Sequence, residues 1–546
     1  MVTNKQIADI FSKTADLLEI KGENPFKVRA YRNAARILEN SAKDFNKLVK
    51  EGFDLTKLPG IGHDLSEYIK EIVNTGKFHK LEELQKEIPQ GVVELLSIEG
   101  LGPKRVKQLY ETFGIKNMQD LKKYALSGEL DKLPGFGPKL IEKILKGVKQ
   151  LKKAGIRFLW ADVEDIADEL KNYLENFDGV EIVDIAGSFR RKKESVGDLD
   201  ILVIAKDYPK VSDYFVKFHK VKEVYSKGLT RSTVFLDNDL QVDLRAVAKE
   251  SYGAALHYFT GSKAHNIEIR KLAIQKGLKI NEYGVYKGNE RIASLQEEDI
   301  YKSVGLEYIE PELRENRGEI QASKNKTLPK LIDFEDIRGV FEYVTDIKEI
   351  DNAVSNALKN NFEYIILNLN MENPDKLLSY IKKLSVNIKI ITALKTEIDK
   401  NGDLLLKDNV KSVDLIAAIM QEHNLDKNTQ TKRYVKALQN PFLKVLLRPS
   451  LREVLRKEEV DIDWETVLET ASKNKKILEI NSNPKYLDLS DVLIKKGIEK
   501  NCMFLLSNFK NGYKYGLYQA RRGWCQRNNL VNALEYERLI DFLQIN

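Results

Sequence analysis

At 546 residues the chain is long enough for three to five domains with ordinary hydrophobic cores. Its 89 basic and 82 acidic residues leave a net charge of only +7, so any affinity for nucleic acid has to come from the placement of the charges. The two cysteines, Cys502 and Cys525, exclude a disulfide framework or a thiolate zinc site, and the lack of an 18-residue apolar run predicts a soluble, cytoplasmic protein without a signal peptide.

Residues 1 to about 150 have apolar side chains at three- and four-residue spacing, which predicts helices. A pattern recurs three times within them, at Leu58–Gly62, Ile98–Lys104 and Leu133–Lys139. Each copy has an apolar residue, then a G-x-G turn, then the first residues of a helix. Such a turn leaves backbone N–H groups unpaired at a helix N-terminus, where they can hold a phosphate without reading its base. The candidate DNA-binding residues are Gly60, Gly62, Gly100, Gly102, Lys104, Gly135, Gly137 and Lys139. One copy alone is equally a tight connection between helices, but three copies favour phosphate binding.

The segment Asn24–Arg32 is basic and aromatic, a composition that suits contact with a DNA end. The alternative is a solvated helix face with Tyr31 in the core.

From about Gly155 strands alternate with helices, which predicts an α/β domain. Asp198 and Asp200 lead into a buried strand and would project from the same face of it. Asp243 lies on a second alternating segment, predicted to be a neighbouring strand of a hairpin. Three hard oxygen donors suit Mg²⁺ or Mn²⁺, and two ions held about 4 Å apart serve in-line nucleotidyl transfer.

Gly187 and Ser188 precede these aspartates, at the end of a predicted strand. Small residues let the backbone approach a phosphate, while Ser188, Arg190 and Arg191 supply donors and charge, so the segment suits a triphosphate. The alternative is an ordinary turn followed by surface acids.

Residues 254–276 contain the sequence YFTGSKAHN, in which a Gly-Ser turn is predicted to cap a helix that begins near Lys263. Residues 278–310 predict a small sheet with turns near Tyr283 and Gly288. The polar segment Leu313–Lys330 loses periodicity and predicts a linker.

Beyond residue 332, strand-like runs alternate with helical ones and predict a largely parallel α/β barrel. The strand-like runs are Tyr364–Leu367, Ile388–Ile391, Leu415–Ala418, Lys444–Leu447 and Ile477–Ile480.

Together, Gly187-Ser188, Arg190-Arg191, Gly197, Asp198-Leu199-Asp200 and the Tyr258–Ser262 turn resemble the nucleotidyltransferase core of family X DNA polymerases. The likeness extends to the form with a C-terminal PHP domain, and the G-x-G repeats resemble helix-hairpin-helix motifs. The implied organisation is a multidomain chain: a lyase-like helical domain (1–85), a fingers-like domain (86–152), a palm (153–252), a thumb (253–316), a linker (317–331) and a PHP-like barrel (332–546).

The resemblance also implies roles for individual residues. Asp198, Asp200 and Asp243 would be catalytic and hold two metal ions, Tyr258 and Phe259 would contact the sugar, Asn266 the incoming base and Arg270 the template side. The remaining implied nucleotide contacts are Gly187, Ser188, Arg191, Gly197 and Gly261. In some relatives the N-terminal domain is a lyase with a Schiff-base lysine; here that position is Tyr68, which cannot form one, and Lys70 points elsewhere on the helix.

The PHP-like region keeps family signatures at Asp336–Gly339, Glu479–Asn481, Leu487–Leu489 and Ala520–Trp524. The positions that correspond to the family's metal ligands carry other residues: Glu342, Tyr343, Val344, Leu369, Asn370, Lys395, Gln421, Arg448, Asn508, Phe509 and Lys510. Since His423 is the one histidine after residue 320, a histidine-rich trinuclear site cannot form, and we expect neither metal nor nuclease activity there. The cations Lys395, Arg448 and Lys510 either attract phosphate or DNA, or are solvent-exposed side chains on an inactive rim.

The sequence therefore predicts a DNA-directed DNA polymerase that fills short gaps in repair, acts on gapped or primed DNA with dNTPs and is monomeric. Two alternatives stay open: a template-independent or RNA-directed nucleotidyltransferase, and a DNA-end scaffold without catalysis.

Overall fold

The computed structural model describes residues 4–40, 45–58, 60–98, 100–153, 156–370, 374–406, 412–510 and 512–545. These form two compact units, Met1–Gly155 and Ile156–Asn546. Pro59 and Glu99 of the predicted repeats lie outside the described residues. No helix within the described ranges is long and apolar enough to cross a membrane.

The first unit is helical, as predicted. Its helices are α1 (Asn4–Lys21), α2 (Pro25–Asn40), α3 (Phe45–Lys50), α4 (His63–Thr75), α5 (His79–Glu87), α6 (Gln90–Glu94), α7 (Pro103–Phe113), α8 (Met118–Leu126) and α9 (Pro138–Lys153). A single hydrophobic core extends from Ile7 to Val148. Residues 1–85 and 86–152, expected as separate domains, therefore share one core.

The palm is built on a five-stranded sheet of order β2-β4-β7-β6-β5. Its elements are β1 (Phe158–Leu159), α10 (Trp160–Glu175), β2 (Val180–Ile185), α11 (Gly187–Arg190), β3 (Ser195–Val196), β4 (Asp198–Ala205), α12 (Tyr208–Phe215), β5 (Val221–Lys227), β6 (Arg231–Leu236) and β7 (Gln241–Ala246). The apolar run Ile201–Ile204 is buried because β4 lies inside the sheet, between β2 and β7. This confirms the predicted central strand.

The thumb follows with α13 (Tyr252–Thr260), α14 (Lys263–Gln275), β8 (Leu278–Asn281), β9 (Gly284–Lys287), β10 (Glu290–Ala293), α15 (Glu297–Ser303) and α16 (Glu319–Lys324). Strands β8 to β10 form the predicted small antiparallel sheet. The segment expected as a linker differs from the prediction, because α16 packs against the thumb and buries Glu319 and Ser323 completely or nearly so. Two of its polar side chains are paired inside the protein: Glu319 with His265 and Ser323 with the carbonyl oxygen of Glu307.

The C-terminal region is a closed barrel of seven parallel strands in chain order, which confirms the predicted PHP-like fold. The strands are β11 (Gly339–Val344), β12 (Tyr364–Leu369), β13 (Lys389–Ile398), β14 (Leu415–Met420), β15 (Leu443–Leu447), β16 (Ile477–Asn481) and β17 (Met503–Ser507). The helices are α17 (Ile347–Lys359), α18 (Pro374–Ile381), α19 (Lys427–Gln439), α20 (Trp464–Lys473), α21 (Asp491–Glu499), α22 (Lys514–Arg522) and α23 (Tyr536–Leu543). All five predicted strands are present; β11 and β17 were not among them.

The barrel is packed directly on the polymerase-like part of the second unit. Tyr515 and Tyr518 of α22 pack against the palm core, and Trp524 packs against the thumb core. The barrel therefore completes the apolar cores of both neighbouring domains.

Candidate active site

Two of the three predicted catalytic aspartates stand side by side on adjacent strands. Strands β4 and β7 run parallel, and their register places Asp200 directly opposite Asp243. Asp198 lies two residues before Asp200 on β4, so it projects from the same face. The alternation read from the sequence thus brings all three carboxylates to one face of the sheet.

The site is buried enough to disfavour carboxylate charge. Burial, reinforced by the negative charge of Asp243, raises the pKa of Asp198. Burial and the charge of Asp198 raise the pKa of Asp200 to about 6. Crowded, partly desolvated carboxylates of this kind are stabilised when a cation binds them.

In this structure, side chains of the protein donate hydrogen bonds and positive charge to these carboxylates. Asp243, 2% exposed, accepts hydrogen bonds from Thr233 and from Nη2 of Arg231 at 2.9 Å. Arg245 lies between two of the acids, with Nε 3.5 Å from Oδ1 of Asp200 and Nη2 3.9 Å from Oδ2 of Asp243. Across the described ranges no three His, Cys, Asp or Glu side chains are arranged as a metal site, these aspartates included.

The predicted triphosphate turn lies against the same aspartates. Gly187 has a φ of 63°, and a Cβ on it would stand 3.0 Å from Oδ2 of Asp200. Glycine is therefore required both by the backbone conformation and by the close approach to the carboxylate. Gly197, just before Asp198, lies beside the guanidinium of Arg157. Ser188 follows Gly187 in the short helix α11.

The guanidinium groups expected as phosphate donors form ion pairs with acids of the thumb. Arg190 forms a bidentate ion pair with Glu297: Nη1 donates to Oε1 at 2.9 Å and Nη2 donates to Oε2 at 2.8 Å. Burial alone would raise the pKa of Glu297, but Arg314 and Arg190 lower it well below its ordinary value. Arg191, 9% exposed, donates from Nε to Glu315 at 3.0 Å. These ion pairs could not be predicted from local sequence, because the acids lie more than 100 residues further along the chain.

Arg190 and Arg191 also connect the triphosphate turn to the Tyr258–Ser262 turn, which lies far from it in the sequence. Nη1 of Arg190 donates to the hydroxyl of Thr260 (2.7 Å), and Nη1 of Arg191 donates to its carbonyl oxygen (2.5 Å). A Cβ on Gly261 would approach Arg191 to 3.3 Å. The triphosphate turn and the Tyr258–Ser262 turn are thus held together by hydrogen bonds.

The second turn has the predicted capping geometry. Gly261 has a φ of 69°, and the side chain of Ser262 caps α14 by accepting from the amide of His265. Asn266 donates from Nδ2 to the carbonyl of Tyr258 (2.7 Å), and its buried Oδ1 has no hydrogen-bond partner in the described part of the chain. Such an atom is available to a ligand donor.

The aromatic pair is half-buried and lies near two arginines. The Arg245 guanidinium lies 4.3 Å from the ring centroid of Phe259, and that of Arg270 lies 6.0 Å from the ring of Tyr258. Through Arg245, Phe259 is therefore linked to the aspartates. Arg245 was missed as a site residue, although its two-residue spacing from Asp243 on a strand places both on one face.

The three G-x-G turns of the first unit share one geometry. Gly60, Gly100 and Gly135 have φ values of 85°, 93° and 85°. The residue between the glycines is buried in each case, at Ile61, Leu101 and Phe136. The second glycine of each turn, Lys104 and Lys139 are exposed at the starts of α4, α7 and α9. No side chain caps Gly62 or Gly102, so the amides after them face solvent or a ligand.

Tyr68, the position that the resemblance assigned to a Schiff-base lysine, belongs to an aromatic cluster. Tyr68 stacks on Tyr31 (centroids 6.0 Å apart) and contacts Phe78 at 5.2 Å. Tyr31 is 3% exposed, so it is a core residue rather than a DNA contact. Lys70 is half-buried and paired with Glu67 at 2.7 Å.

At the carboxyl end of the barrel, side chains bind one another. Glu479, fully buried, accepts from the hydroxyl of Tyr343 (2.6 Å) and from the amide of Arg448 (2.7 Å). Asn508 donates to Glu342, whose pKa is raised to about 7 by burial.

The remaining predicted positions differ in their contacts. Gln421 donates to Glu397 at 2.6 Å. The ammonium of Lys395 lies 5.8 Å from the ring of Tyr343, and Arg448 stacks on Tyr486 at 3.7 Å. Lys510 is exposed near the ring of Phe509, while Val344 and Leu369 are buried. Arg448 is therefore held by neighbouring groups, and only Lys510 is a freely exposed cation of this set.

A palm sheet with paired aspartates, a glycine-serine turn against them and a capped second turn define a nucleotidyltransferase of the polymerase type. Comparison with family models agrees: residues 159–271 match the DNA polymerase beta palm and 255–315 the DNA polymerase beta thumb. Residues 2–78 match a helix-hairpin-helix domain and 92–150 a SAM-like helix-hairpin-helix tandem.

Among curated proteins, the chain is 31% identical to the DNA polymerase/3'-5' exonuclease PolX of Bacillus subtilis (strain 168), over 99% of each chain. It is 27% identical to DNA polymerase lambda of Arabidopsis thaliana, over 57% of this chain and 62% of that protein. It is 25% identical to DNA polymerase lambda of Rattus norvegicus, over 57% and 56%. The chain belongs to the family X DNA polymerases.

Proposed function

We propose that the protein is a DNA-directed DNA polymerase that fills short gaps during DNA repair. The observation that carries this proposal is the register of β4 and β7, which sets Asp200 opposite Asp243 with Asp198 beside them. The triphosphate turn at Gly187 lies against the same carboxylates. Family membership and the two lambda-type relatives support the proposal.

Asp198, Asp200 and Asp243 are the residues that would hold two Mg²⁺ or Mn²⁺ ions. The donor set fits such ions, because three carboxylates provide hard oxygen ligands and the missing Cβ of Gly187 leaves space beside Asp200. When bound, the ions would lower the barrier of in-line nucleotidyl transfer by stabilising charge on the attacking and leaving oxygens. Arg231 and Arg245 now contact these carboxylates, so binding requires them to shift.

The chain's own groups position the nucleotide. The amides of the turn at Gly187 and the hydroxyl of Ser188 face the triphosphate, and Tyr258 and Phe259 lie against the sugar. Oδ1 of Asn266 accepts a hydrogen bond from the incoming base, and Arg270 lies on the template side. The half-buried state of Tyr258 and Phe259 and the unpaired oxygen of Asn266 support these roles.

DNA is held by the first unit through the phosphate backbone. The exposed glycines of the three G-x-G turns bring helix N-termini to the phosphates, and Lys104 and Lys139 add charge. These contacts carry no sequence information, as gap repair requires. The protein acts as a monomer in this proposal.

The barrel is proposed to hold no metal and to lack nuclease activity. The positions where the family's ligands would stand carry residues that bind one another, as in the Tyr343, Glu479 and Arg448 network. In this respect the chain would differ from its Bacillus relative, whose name includes a 3'-5' exonuclease.

Primer extension on matched gapped, blunt-ended and single-stranded substrates tests the proposal. A gap-filling polymerase extends the gapped substrate fastest and inserts the templated nucleotide. Equal extension of single strands would favour the template-independent nucleotidyltransferase instead. Binding of gapped DNA without incorporation in Mg²⁺ or Mn²⁺ would favour a scaffold.

A further inference from the structure

Helix α22 of the barrel reaches the palm at the end of the triphosphate turn. Arg522, 2% exposed, donates from Nη1 to the carbonyl oxygen of Arg191 (2.8 Å) and to Oε1 of Glu315 (3.2 Å). The same Glu315 oxygen accepts from Nε of Arg191 (3.0 Å). Arg191 directly follows α11, so one barrel side chain holds both the backbone and, through Glu315, the side chain at the end of this turn.

Arg522 is itself held in place. Its Nη2 donates to Oδ2 of Asp491 at 2.6 Å, and that oxygen also accepts from Arg317 at 2.8 Å. Asp491 lies at the start of α21 in the barrel, and Arg317 comes from the segment between thumb and barrel. Because the guanidinium is fixed at both ends, it holds the palm backbone in one position relative to the barrel.

Two more barrel residues hold the loop that follows the turn. Arg452 donates to the carboxylate of Glu194 and is anchored by the carbonyl of Leu487 at 2.7 Å. The ammonium of Lys192 lies 4.6 Å from the ring centroids of both Trp160 and Tyr518, the second of which belongs to α22. The barrel therefore contacts Arg191, Lys192 and Glu194.

We propose that Arg522 is a positioning residue for nucleotide binding. Through it, the barrel fixes the position of the triphosphate turn of the palm. The inference rests on the proposed function, since it is the triphosphate of a dNTP that this turn would hold. It assigns the barrel a role in the polymerase reaction that needs no metal on its own rim.

Full-length Arg522→Met protein tests the assignment. The variant keeps the apolar stem, while Asp491 keeps Arg317 and Glu315 keeps Arg191, so each acid retains one partner. We expect the KM for dNTP in gap filling to rise about tenfold, the scale of losing one charge-assisted hydrogen bond. The Kd for gapped DNA and the kcat per folded molecule should stay near those of the unaltered protein.

Arg338→Met is the matched control. Arg338 is a barrel arginine paired with Glu363 and Glu535 at the surface, and 39% of its side chain is exposed. It should leave the KM unchanged. The inference would be overturned if Arg522→Met had an unchanged KM and a lower apparent kcat that fell only in proportion to the fraction of folded protein. That result would indicate a purely structural role for Arg522.

Two measurements keep the test decisive. Arg522→Lys retains the charge and the fold but cannot reach Arg191, Glu315 and Asp491 together, so it should also raise the KM; an unaltered KM would contradict the inference. Amide hydrogen exchange over residues 187–197 needs no turnover and should be faster in both Arg522 variants than in Arg338→Met. Unchanged exchange would overturn the inference even if the protein showed no polymerase activity, an outcome that by itself would contradict only the proposed function.

Discussion

Asp200 on β4 lies directly opposite Asp243 on the parallel strand β7, and Arg245, two residues beyond Asp243, contacts both carboxylates. The strand register alone brings together residues that are 43 positions apart in the sequence. Since β4 is an internal strand, its backbone is held on both sides and the aspartates have little freedom to separate. The arginine keeps the uncompensated negative charge low in the absence of other cations.

Removing a lysine after a G-x-G turn should change the salt dependence of DNA binding. Lys104→Ala and Lys139→Ala should each lower the slope of log K against log salt by about 0.9, because one phosphate contact is lost. Lys123→Ala is the control, since it removes the same charge from an exposed position on α8. Binding isotherms on gapped DNA at several salt concentrations give the slopes. If all three variants showed the slope of the unaltered protein, the turns would not be the phosphate contacts.

A bulky residue at Gly102 should weaken DNA binding without unfolding the first unit. Its φ of −83° is ordinary and a Cβ there would meet nothing within 4 Å, so Gly102→Val is tolerated by the fold but obstructs the approach of a phosphate. Gly100, by contrast, has a φ of 93°, and a Cβ there would stand 2.8 Å from Leu140, so its replacement would combine backbone strain with lost binding. We expect weaker binding and a flatter salt slope for Gly102→Val. Normal binding in a folded variant would remove the phosphate role of this turn.

The first unit should not form a Schiff base with an incised abasic site. Tyr68 has no amine, and Lys70 is paired with Glu67. Borohydride trapping should therefore give no more adduct than a Lys70→Ala variant does. A strong adduct that disappears in Lys70→Ala would show that the nucleophile has moved by two residues.

Glu342 should make the barrel less stable as the pH rises. Burial raises its pKa to about 7 from an ordinary value of 4.5. Between these values the unfolded chain has already released the proton that the folded barrel retains, so stability falls as pH rises through this window. Glu342→Gln should remove that loss and be more stable than the unaltered protein at pH 8 by about 1–3 kcal/mol, with no difference near pH 4.

Chemical unfolding at both pH values measures this effect. Glu335→Gln is the control, since Glu335 is exposed in the same domain. An equal effect of both substitutions, or none at pH 8, would show that Glu342 is not ionised at a cost in the folded state.

The barrel should carry no primer-degrading activity of its own. Elemental analysis of purified protein should find no Mn or Zn retained by the barrel, and Asp198→Ala protein should not degrade a primer in Mn²⁺. Point variants are the proper probe, because deleting the barrel would also remove Tyr515, Tyr518 and Trp524 from the palm and thumb cores. Exonuclease activity that survives Asp198→Ala but is lost in Glu479→Gln would place a nuclease site on the barrel rim.

The sequence was most informative where function depends on local spacing. Alternation predicted that Asp198 and Asp200 share a face of a strand and that Asp243 follows on a neighbouring one. The repeated turns were recognisable because φ values near 90° at Gly60 and Gly100 demand glycine. The five predicted barrel strands are apolar enough to be recognised from their own sequence, without knowledge of the strands that pair with them.

Partners distant in sequence could not be predicted. Arg190 and Arg191 look like free phosphate donors locally, but their acids, Glu297 and Glu315, come from the thumb. The segment expected as a linker is polar for the same reason: Glu319 is buried against His265, at 2.7 Å. Composition cannot distinguish a charge in solvent from a charge with a buried partner.

The catalytic role of the palm aspartates is tested by single-nucleotide gap filling. The unaltered chain, Asp200→Ala and Asp178→Ala are compared under the same conditions. Asp178 is an exposed palm aspartate and serves as the control. We expect the unaltered chain and Asp178→Ala to insert the templated nucleotide, whereas Asp200→Ala should lose about 10²- to 10³-fold in rate and bind gapped DNA almost as well as the unaltered chain. Templated insertion at an undiminished rate by Asp200→Ala, or no insertion by the unaltered chain, would contradict this expectation.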